Sequence, residues 1–422
     1  MTKHYPSLAL SCLDLDAEEV RERFRWAARQ GHPQWLWPDL TVDEWSHSTE
    51  RIAEVTREVM TLGTSRKVLA GSADAIGIAG YTSGLGPLLG LWLEQGRIEC
   101  SPMVAAVLEL HLRHNRLRMA RLTDRARALS AALSAKAIAH TFLKGMHTAH
   151  RYFPERGTRP MSDIDLLIAP DDEALTGCVL RTLGFSPGLA QAYPPERSWR
   201  PTEAPELPRN LALVHADDPW TVDLHTSLNR RYAAGSPVLR IDEVAAGNRL
   251  PHRAFAPSAR VLAQPSLLVH LTTHAGCGLE SLSMLRLVEL VFVIRRDMSG
   301  GPAAWDQFVE AAASADALGG IYPALEFCEQ LVPGTVPARV LRNSRQAVPP
   351  PVRRVVDRHT VVDIQRVERC SLAERFMWAP SKWAVLRQIL GEIFPPGSSV
   401  LPTLLAIYRA RLWRLARRTM TR

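Results

Sequence analysis

Apolar residues recur three and four positions apart in two long parts of the chain, and a stretch with shorter patterns separates them. Helical spacing runs through residues 14–95 and again from about 104 to 140, and it returns from about Pro265 onward. We therefore predict an α+β fold. A small mixed-sheet α/β core at residues 140–230 lies between mainly helical regions at 1–139 and 231–422.

Short apolar runs bounded by proline and acidic residues predict the strands of this core. DIDLLIAP (163–170) predicts a strand that ends at a proline, and 171–185 predicts a helix with acids in its first turn. LALVH (211–215) and WTVDLHTSL (220–228) predict two strands joined as a hairpin by ADDP. Proline and charged residues are frequent in 186–210, which we interpret as a flap, a specificity loop or a disordered segment.

Composition places the chain among globular proteins. Of its 422 residues, 46% are hydrophobic, which is too many for a disordered chain. The absence of any apolar run of eighteen residues argues against a transmembrane helix, and the N-terminal residues do not resemble a signal peptide. The six cysteines are scattered without metal-ligand spacing, so we expect reduced thiols and a cytoplasmic protein.

The formal net charge is +8, and much of the excess lies in two segments, 113–129 and 408–422. Both segments carry leucines at helical spacing between their arginines. Each is either an amphipathic helix with a solvated basic face or a weak contact site for nucleic acid or another anionic surface.

Two acids begin the strand predicted at residue 163. Asp163 and Asp165 are two residues apart, so their side chains leave the same face of that strand. Asp223 and His225 have the same spacing in the strand that follows. Neighbouring carboxylates repel one another unless a cation lies between them. If the two strands are adjacent, the three aspartates could hold two metal ions for in-line displacement at phosphorus, although such acid pairs also occur in hairpins and caps.

Several short motifs then carry a resemblance to a known family. The chain resembles the poorly characterised bacterial nucleotidyltransferases of the polymerase-beta-like superfamily, over about residues 80–300 and most specifically over 140–230. The motifs of that resemblance are LKG (143–145), Tyr152, RPMSDIDLLI (159–168) and VDLH (222–225), with weaker similarity in GLGPLLGLWL (84–93), Asn115, Arg116, LLVHLTTHAG (267–276) and LRLVELV (285–291).

The resemblance implies roles for the acids and for the glycine motif. Asp163 and Asp165 would bind a divalent metal and the nucleoside triphosphate. Asp223 would be the third carboxylate, either a metal ligand or the base for the attacking group. Gly145 would let backbone N–H groups approach phosphate. In better-known members a serine follows that glycine; Met146 stands there in this chain, and a contact from Lys144 would replace the serine contact.

Other residues of the motifs have more than one interpretation. Arg159 would contact phosphate or hold its loop to the acids, and Ser162 belongs to the same phosphate-binding approach. For Lys144 and Arg159, the alternative is a position on the surface or in a salt bridge, without ligand contact. His225 is either close to the metal or a neutral histidine beside Asp223.

Taken together, the motifs imply an enzyme that requires Mg²⁺ or Mn²⁺. It would transfer a nucleoside monophosphate from a nucleoside triphosphate, with ATP favoured, to an acceptor that the sequence does not identify. Residues 230–400 are the candidate region for acceptor contacts. Two alternatives remain open: an antitoxin-like enzyme that transfers AMP to a partner toxin, and a non-catalytic protein that binds nucleotide or nucleic acid.

Overall fold

The fold is described from a computed structural model. The basic segment 408–422 and the first sixteen residues lie outside the described part of the chain. The structure describes residues 17–30, 36–37, 39–192, 195–231, 238–279, 282–365, 376–379 and 381–386.

The described residues form fourteen α-helices and eleven β-strands. The helices are α1 (Ala17–Gln30), α2 (Val42–Leu62), α3 (Ala73–Ser83), α4 (Gly86–Glu94), α5 (Pro102–Ala135), α6 (Lys144–Arg151), α7 (Glu173–Thr182), α8 (Ile241–Ala245), α9 (Ser266–Cys277), α10 (Met284–Asp297), α11 (Pro302–Ser314), α12 (Tyr322–Leu331), α13 (Ala338–Gln346) and α14 (Pro350–Arg358). The strands are β1 (Val68–Leu69), β2 (Glu99–Cys100), β3 (His140–Phe142), β4 (Asp163–Ile168), β5 (Phe185–Ala192), β6 (Pro195–Pro201), β7 (Thr221–His225), β8 (Arg230–Arg231), β9 (Val238–Leu239), β10 (Arg249–Pro251) and β11 (Ala259–Leu262).

Seven of these strands form one mixed sheet in the order β10-β11-β3-β4-β7-β6-β5. The pairs β11–β3 and β4–β7 are parallel, and the other four pairs are antiparallel. The prediction of an α+β fold built around a mixed sheet is confirmed.

Hydrophobic cores cover both faces of the sheet at its central strands. Along β4, Ile164, Leu166 and Ile168 contact a core formed with α5 and α7, whereas Leu167 belongs to the core of the helices α9–α12. Successive side chains of a strand point to opposite faces, so Asp163 and Asp165 lie on the same side as Leu167. The acids therefore face the helical region.

Helix α5 connects the two cores because of its length. It begins at Ser101, whose hydroxyl accepts a hydrogen bond from the Val104 amide, and Pro102 occupies its first turn. It then continues for 34 residues. Leu108 near its start belongs to the helical core, and Leu122 and Leu129 pack on the sheet.

The chain between α7 and β7 differs from the sequence-based prediction. The predicted strand at 211–215 is wrong, since those residues are irregular, and so is its hairpin with the following strand. The hairpin lies earlier, where β5 and β6 pair within the segment that we interpreted as a loop. Its prolines suggested a loop, but β5 is an edge strand and has an irregular register between Pro187 and Ala190, where proline is tolerated.

The sheet also extends beyond residue 230, the predicted limit of the core. Strands β10 and β11 add to β3 after the chain has passed through β8, β9 and α8. Strands this short carry little periodic signal, so the pattern alone did not indicate them. Among the described residues, no single helix is long and apolar enough to cross a membrane; only α3 and α4 together meet that test, and they are bent by 116°.

Three histidines pack together beside β3. The rings of His147 and His150 from α6 each lie about 6 Å from the ring of His252, with centroid distances of 6.0 and 5.7 Å. Burial, reinforced by His252 and Arg151, lowers the pKa of His147 to about 3, and burial lowers the pKa of His252 to about 4. These imidazoles are therefore neutral at neutral pH.

We expect this cluster to make folding sensitive to acid. Below pH 6.5 an unfolded histidine gains a proton, whereas His147 in the folded chain does not until about pH 3. The free energy of unfolding should therefore fall as the pH drops from 7 to 5, by about 2 kcal/mol for this residue. Urea unfolding at pH 7.5 and at pH 5.0 measures this change. Between the two pH values, the free energy of unfolding of His147→Phe should fall less than that of the wild type. The same substitution at the exposed His47 is the control, and equal losses in all three proteins would contradict the prediction.

Candidate functional site

Three aspartates lie on one face of two adjacent strands. Strands β4 and β7 are parallel neighbours, and Asp165 is directly paired with Asp223. Asp163 lies two residues before Asp165, opposite Thr221. His225 follows Asp223 on the same face. The structure therefore brings together the four residues that the sequence placed on two strands.

Asp165 is the most heavily bonded of these acids. Lys144 donates from Nζ to Oδ1 at 2.6 Å, and Nε2 of His225 lies 3.0 Å from the same oxygen. The carboxylate is only 4% exposed. Burial alone would raise its pKa, but Lys144 and His225 outweigh burial and hold the pKa below its usual range. Asp165 is therefore ionised at neutral pH.

Asp163 has the opposite electrostatic environment. Burial, followed by the charges of Asp165 and Asp223, raises its pKa to about 6. Lys144 and Arg159 reduce this shift without cancelling it. The neighbouring cations therefore do not fully compensate the negative charges around Asp163. A cation bound there would relieve the repulsion between Asp163 and the other two aspartates.

Strand β6 supplies two contacts to this face that the sequence pattern did not indicate. Ser198 donates from Oγ to Oδ1 of Asp223 at 2.8 Å. Oε2 of Glu196 lies 3.5 Å from Nδ1 of His225, so each ring nitrogen of His225 faces a carboxylate. Glu196 and Ser198 alternate with Arg197 and Trp199. If residues 195–201 had been predicted as a strand, this alternation would have placed Glu196 and Ser198 on one face.

Lys144 opens α6 in an unusual conformation. Its φ is +36°, a left-handed value that is rare for a residue with a side chain. Strain of this kind is found where the surrounding structure fixes a functional group. Here the conformation accompanies the placement of Nζ on Asp165, so that of the roles considered for Lys144 the structure shows the salt bridge.

Arg159 forms a buried ion pair with Glu289 of α10. Its Nε and Nη2 atoms donate to the two carboxylate oxygens at 2.7 and 3.1 Å, and Thr148 donates to the same carboxylate. Side-chain exposure is only 11% for the arginine and 5% for the glutamate. Of the roles considered for Arg159, the structure shows the salt bridge, which joins the residues before β4 to the helical region.

Gly145 is required for the close approach of Arg159. A β-carbon at this position would lie 2.6 Å from Nη1 of Arg159 and 3.0 Å from the sulfur of Met161. The guanidinium is held by Glu289 and has little freedom to move away. In the structure, the missing side chain of Gly145 makes room for this arginine.

Arg118 is a second buried arginine, and it holds the ends of both acidic strands. Its guanidinium donates to the carbonyl oxygens of Met161 at 2.8 Å, Asp218 at 2.7 Å and Pro219 at 2.8 Å. Met161 precedes β4, and Asp218 and Pro219 precede β7. Arg118 belongs to the basic segment 113–129, where its sequence context did not distinguish it from solvated arginines.

The rest of that basic segment is divided between structural and solvated side chains. Asn115 donates to the Gly157 carbonyl at 2.6 Å, and Arg116 bonds both Glu94 and Glu155. The side chains of Arg125 and Arg127 are exposed. Much of the charge therefore stabilises the fold, and only part of it faces solvent.

A cleft of about 200 Å³ lies between the acidic face and the helices α9 and α10. Lys144, Ser162, Asp163 and Asp165 line one wall, and His274, Ser283 and Arg286 are among the residues of the other. A larger cavity of about 620 Å³ lies near Trp220, but none of the three aspartates lines it. The smaller cleft is therefore the candidate functional site.

The donor set of this cleft suits a hard divalent cation, because carboxylate oxygens are the ligands that Mg²⁺ and Mn²⁺ prefer. Among the described residues, however, no three histidine, cysteine, aspartate or glutamate side chains form a group that could hold a metal ion as they stand. Lys144 bonds Asp165, and Ser198 bonds Asp223. Two of the three carboxylates are thus already engaged by protein groups.

Comparison with known proteins gives one match. A family model described as an uncharacterised nucleotidyltransferase matches residues 80–333, which is more than half of the chain. The matched region contains the whole acidic face and both walls of the cleft. No curated protein and no solved structure matches the chain.

Proposed function

The chain belongs to this family of uncharacterised nucleotidyltransferases, and we propose that it transfers a nucleoside monophosphate from a nucleoside triphosphate to an acceptor hydroxyl with the help of Mg²⁺ or Mn²⁺. The observation that carries the proposal is the position of Asp163, Asp165 and Asp223 on one face of two adjacent strands, where Asp163 and Asp165 line a cleft.

In this proposal Asp163 and Asp165 hold the divalent cation and orient the triphosphate. A bound cation would neutralise phosphate charge and make the α-phosphorus more electrophilic. Asp223 is either a third ligand or the base that accepts the proton of the attacking hydroxyl. The hydroxyl oxygen bonds to the α-phosphorus, the bond from that phosphorus to its bridging oxygen breaks, and pyrophosphate leaves.

The first test is nucleotide binding by the purified protein. ATP, GTP, CTP and UTP, each with Mg²⁺ or Mn²⁺, should be compared by calorimetry, followed by measurement of pyrophosphate release and self-labelling from α-labelled nucleotide. We expect at least one triphosphate to bind in a metal-dependent manner. Failure of all four nucleotides to bind with either metal would overturn the proposal.

The contact between Lys144 and Asp165 leads to a more specific prediction. If the ammonium and a divalent cation compete for Asp165, Lys144→Met should bind Mn²⁺ about tenfold more tightly than the wild type in the absence of nucleotide. The factor reflects the loss of one charge-assisted hydrogen bond. The affinity for Mn²⁺ is measured by titration, with electron paramagnetic resonance as the readout. Lys136→Met, at an exposed lysine, should bind like the wild type, and an unchanged affinity in Lys144→Met would refute the competition.

A further inference from the structure

Arg230 is an arginine that has no counter-ion among the described residues. It lies shortly after the end of β7, in the short strand β8. Its side chain is only partly exposed, and its Nε is shielded from solvent. Within the described part of the chain, that nitrogen has no hydrogen-bond partner and no carboxylate forms an ion pair with the guanidinium. Charged groups withdrawn from water are normally paired, so this arginine needs an explanation.

His270 of α9 is a second polar group of this kind. It is 1% exposed, and neither of its ring nitrogens has a hydrogen-bond partner in the described structure. Burial lowers its pKa well below the usual value, and the charge of Arg230 lowers it further. The imidazole is therefore neutral and retains one N–H donor. Leaving such a group unsatisfied is costly, and an unsatisfied group in a folded protein points to a ligand.

Hydrogen bonds through α8 hold Arg230 near α9. Asn229, the preceding residue, accepts a hydrogen bond from the Asp242 amide in α8 at 3.0 Å. At the other end of α8, the carbonyl of Val244 accepts a hydrogen bond from Ser266 of α9 at 2.6 Å. Of the charges that act on the buried imidazole of α9, that of Arg230 is the largest. Electrostatic interactions weaken with distance, so the two unpartnered groups are neighbours.

These two groups lie beside the acidic face but away from the cleft. The cleft is lined by residues that precede and begin β4, from 159 to 163, and neither Asp223 nor Arg230 is in its described lining. Glu196, one of the acids whose charge reaches Arg230, is paired with His225 at the end of β7. Arg230 therefore lies toward the end of the acidic strands, whereas the cleft lies toward their beginning.

Nucleotidyl transfer brings two substrates to the same acids. In the proposed function the triphosphate is held by Asp163 and Asp165, which line the cleft. The attacking hydroxyl meets Asp223, which lies outside that lining, on the side of the face where β6 and β7 pair. A guanidinium offers several N–H donors in a planar fork that matches the oxygens of a phosphate or a carboxylate.

We propose that Arg230 and His270 bind an anionic group of the acceptor, so that the acceptor is a hydroxyl compound that also carries a phosphate or a carboxylate. The proposal rests on the proposed function and narrows the class of acceptor. It accounts for the missing counter-ion of Arg230, because the bound acceptor supplies the negative charge. It also gives the N–H of His270 an oxygen to bond.

Anion binding by Arg230→Gln tests this proposal. Calorimetry should measure the affinity for inorganic phosphate and for acetate, first with the free protein and then with protein saturated with Mg²⁺ and a non-hydrolysable analogue of the triphosphate it prefers. In the saturated protein the cleft is occupied, so the added anion reports on the second position. We expect the variant to bind the anion about tenfold to a hundredfold more weakly than the wild type, with an unchanged affinity for the triphosphate.

Arg231→Gln is the matched control. Arg231 is the next residue of β8 and is exposed, and successive side chains of a strand point to opposite faces. This variant loses the same charge at nearly the same position, and it should bind both anions and the triphosphate like the wild type. Should Arg230→Gln fail to fold, His270→Phe replaces it. That substitution keeps a buried ring but removes the N–H, and it should weaken anion binding about tenfold.

The possible outcomes separate this proposal from the proposed function. If the wild type binds triphosphate but neither phosphate nor acetate, the proposal is wrong and the proposed function stands. If Arg230→Gln weakens binding of triphosphate as much as that of the anion, Arg230 contacts the triphosphate and its assignment to the acceptor is wrong. Equal weakening in Arg230→Gln and Arg231→Gln would show a response to net charge and would also overturn it. If the wild type binds no triphosphate, the proposed function falls and the assignment to an acceptor falls with it.

Discussion

Replacing Asp165 with asparagine is expected to lower nucleotidyl transfer by about three orders of magnitude. Asparagine keeps the shape of the side chain but removes the charge that the proposed mechanism uses to hold the cation. A loss of about 4 kcal/mol in transition-state stabilisation corresponds to that factor. Release of labelled pyrophosphate under single-turnover conditions measures it. Asp171→Asn, at an exposed aspartate just after the same strand, should retain wild-type transfer.

Replacing each of the two acids of β4 with asparagine should change the free energy of unfolding in opposite directions. In metal-free buffer at pH 7.5, Asp163→Asn should raise the free energy of unfolding by about 3 kcal/mol, because it removes a carboxylate whose pKa is raised to about 6 by burial and by neighbouring acids. Asp165→Asn should lower it, because Lys144 loses its counter-ion. Urea unfolding measures both effects. If Asp163→Asn and the wild type show equal rates of nucleotidyl transfer, the acidic face has no catalytic role, whatever the change in stability.

The second large effect concerns the buried pair of Arg159 and Glu289. Arg159→Met and Glu289→Leu should each lower the free energy of unfolding by about 3–5 kcal/mol, since each leaves one charge buried without its partner. The double variant should be more stable than either single variant, because both charges are then absent. Urea unfolding of the four proteins at pH 7.5 gives the coupling energy.

An exposed ion pair provides the control for that cycle. Lys67 of the wild type lies 3.0 Å from Glu54, and both side chains are about half exposed, at 52% and 47%. Lys67→Met should cost less than about 1 kcal/mol. If Arg159→Met costs no more than Lys67→Met, the pair does not join the sheet to the helical region in the way the structure indicates.

The sequence predicted the acidic face because the face is encoded locally. Asp163 and Asp165 alternate with Ile164 and Leu166, and Asp223 alternates with Val222 and Leu224, so each strand carries its own two-sided pattern. The helices around the core were predictable for the same reason, since their apolar spacing repeats over several turns. The alternation within each strand could not show that β4 and β7 are neighbours. The structure shows that they are, which is the condition under which the three aspartates share one face.

The partners of the acids were harder to predict, because they depend on contacts between distant residues. Nothing near Arg159 in the chain indicates Glu289, which lies 130 residues later. Glu196 and Ser198 were overlooked because the prolines around them favoured a loop. The role of Arg118 is hidden among similar arginines of α5, and only burial against carbonyl groups distinguishes it.

The carbonyl contacts of Arg118 also bear on the order in which the chain folds. This one side chain joins residues separated from it by 43, 100 and 101 positions. Contacts of such high contact order form only after long loops have closed, which makes them slow relative to helix formation. The alignment of the acidic ends of β4 and β7 therefore depends on contacts that require those loops to be closed, and local structure alone does not create the functional site.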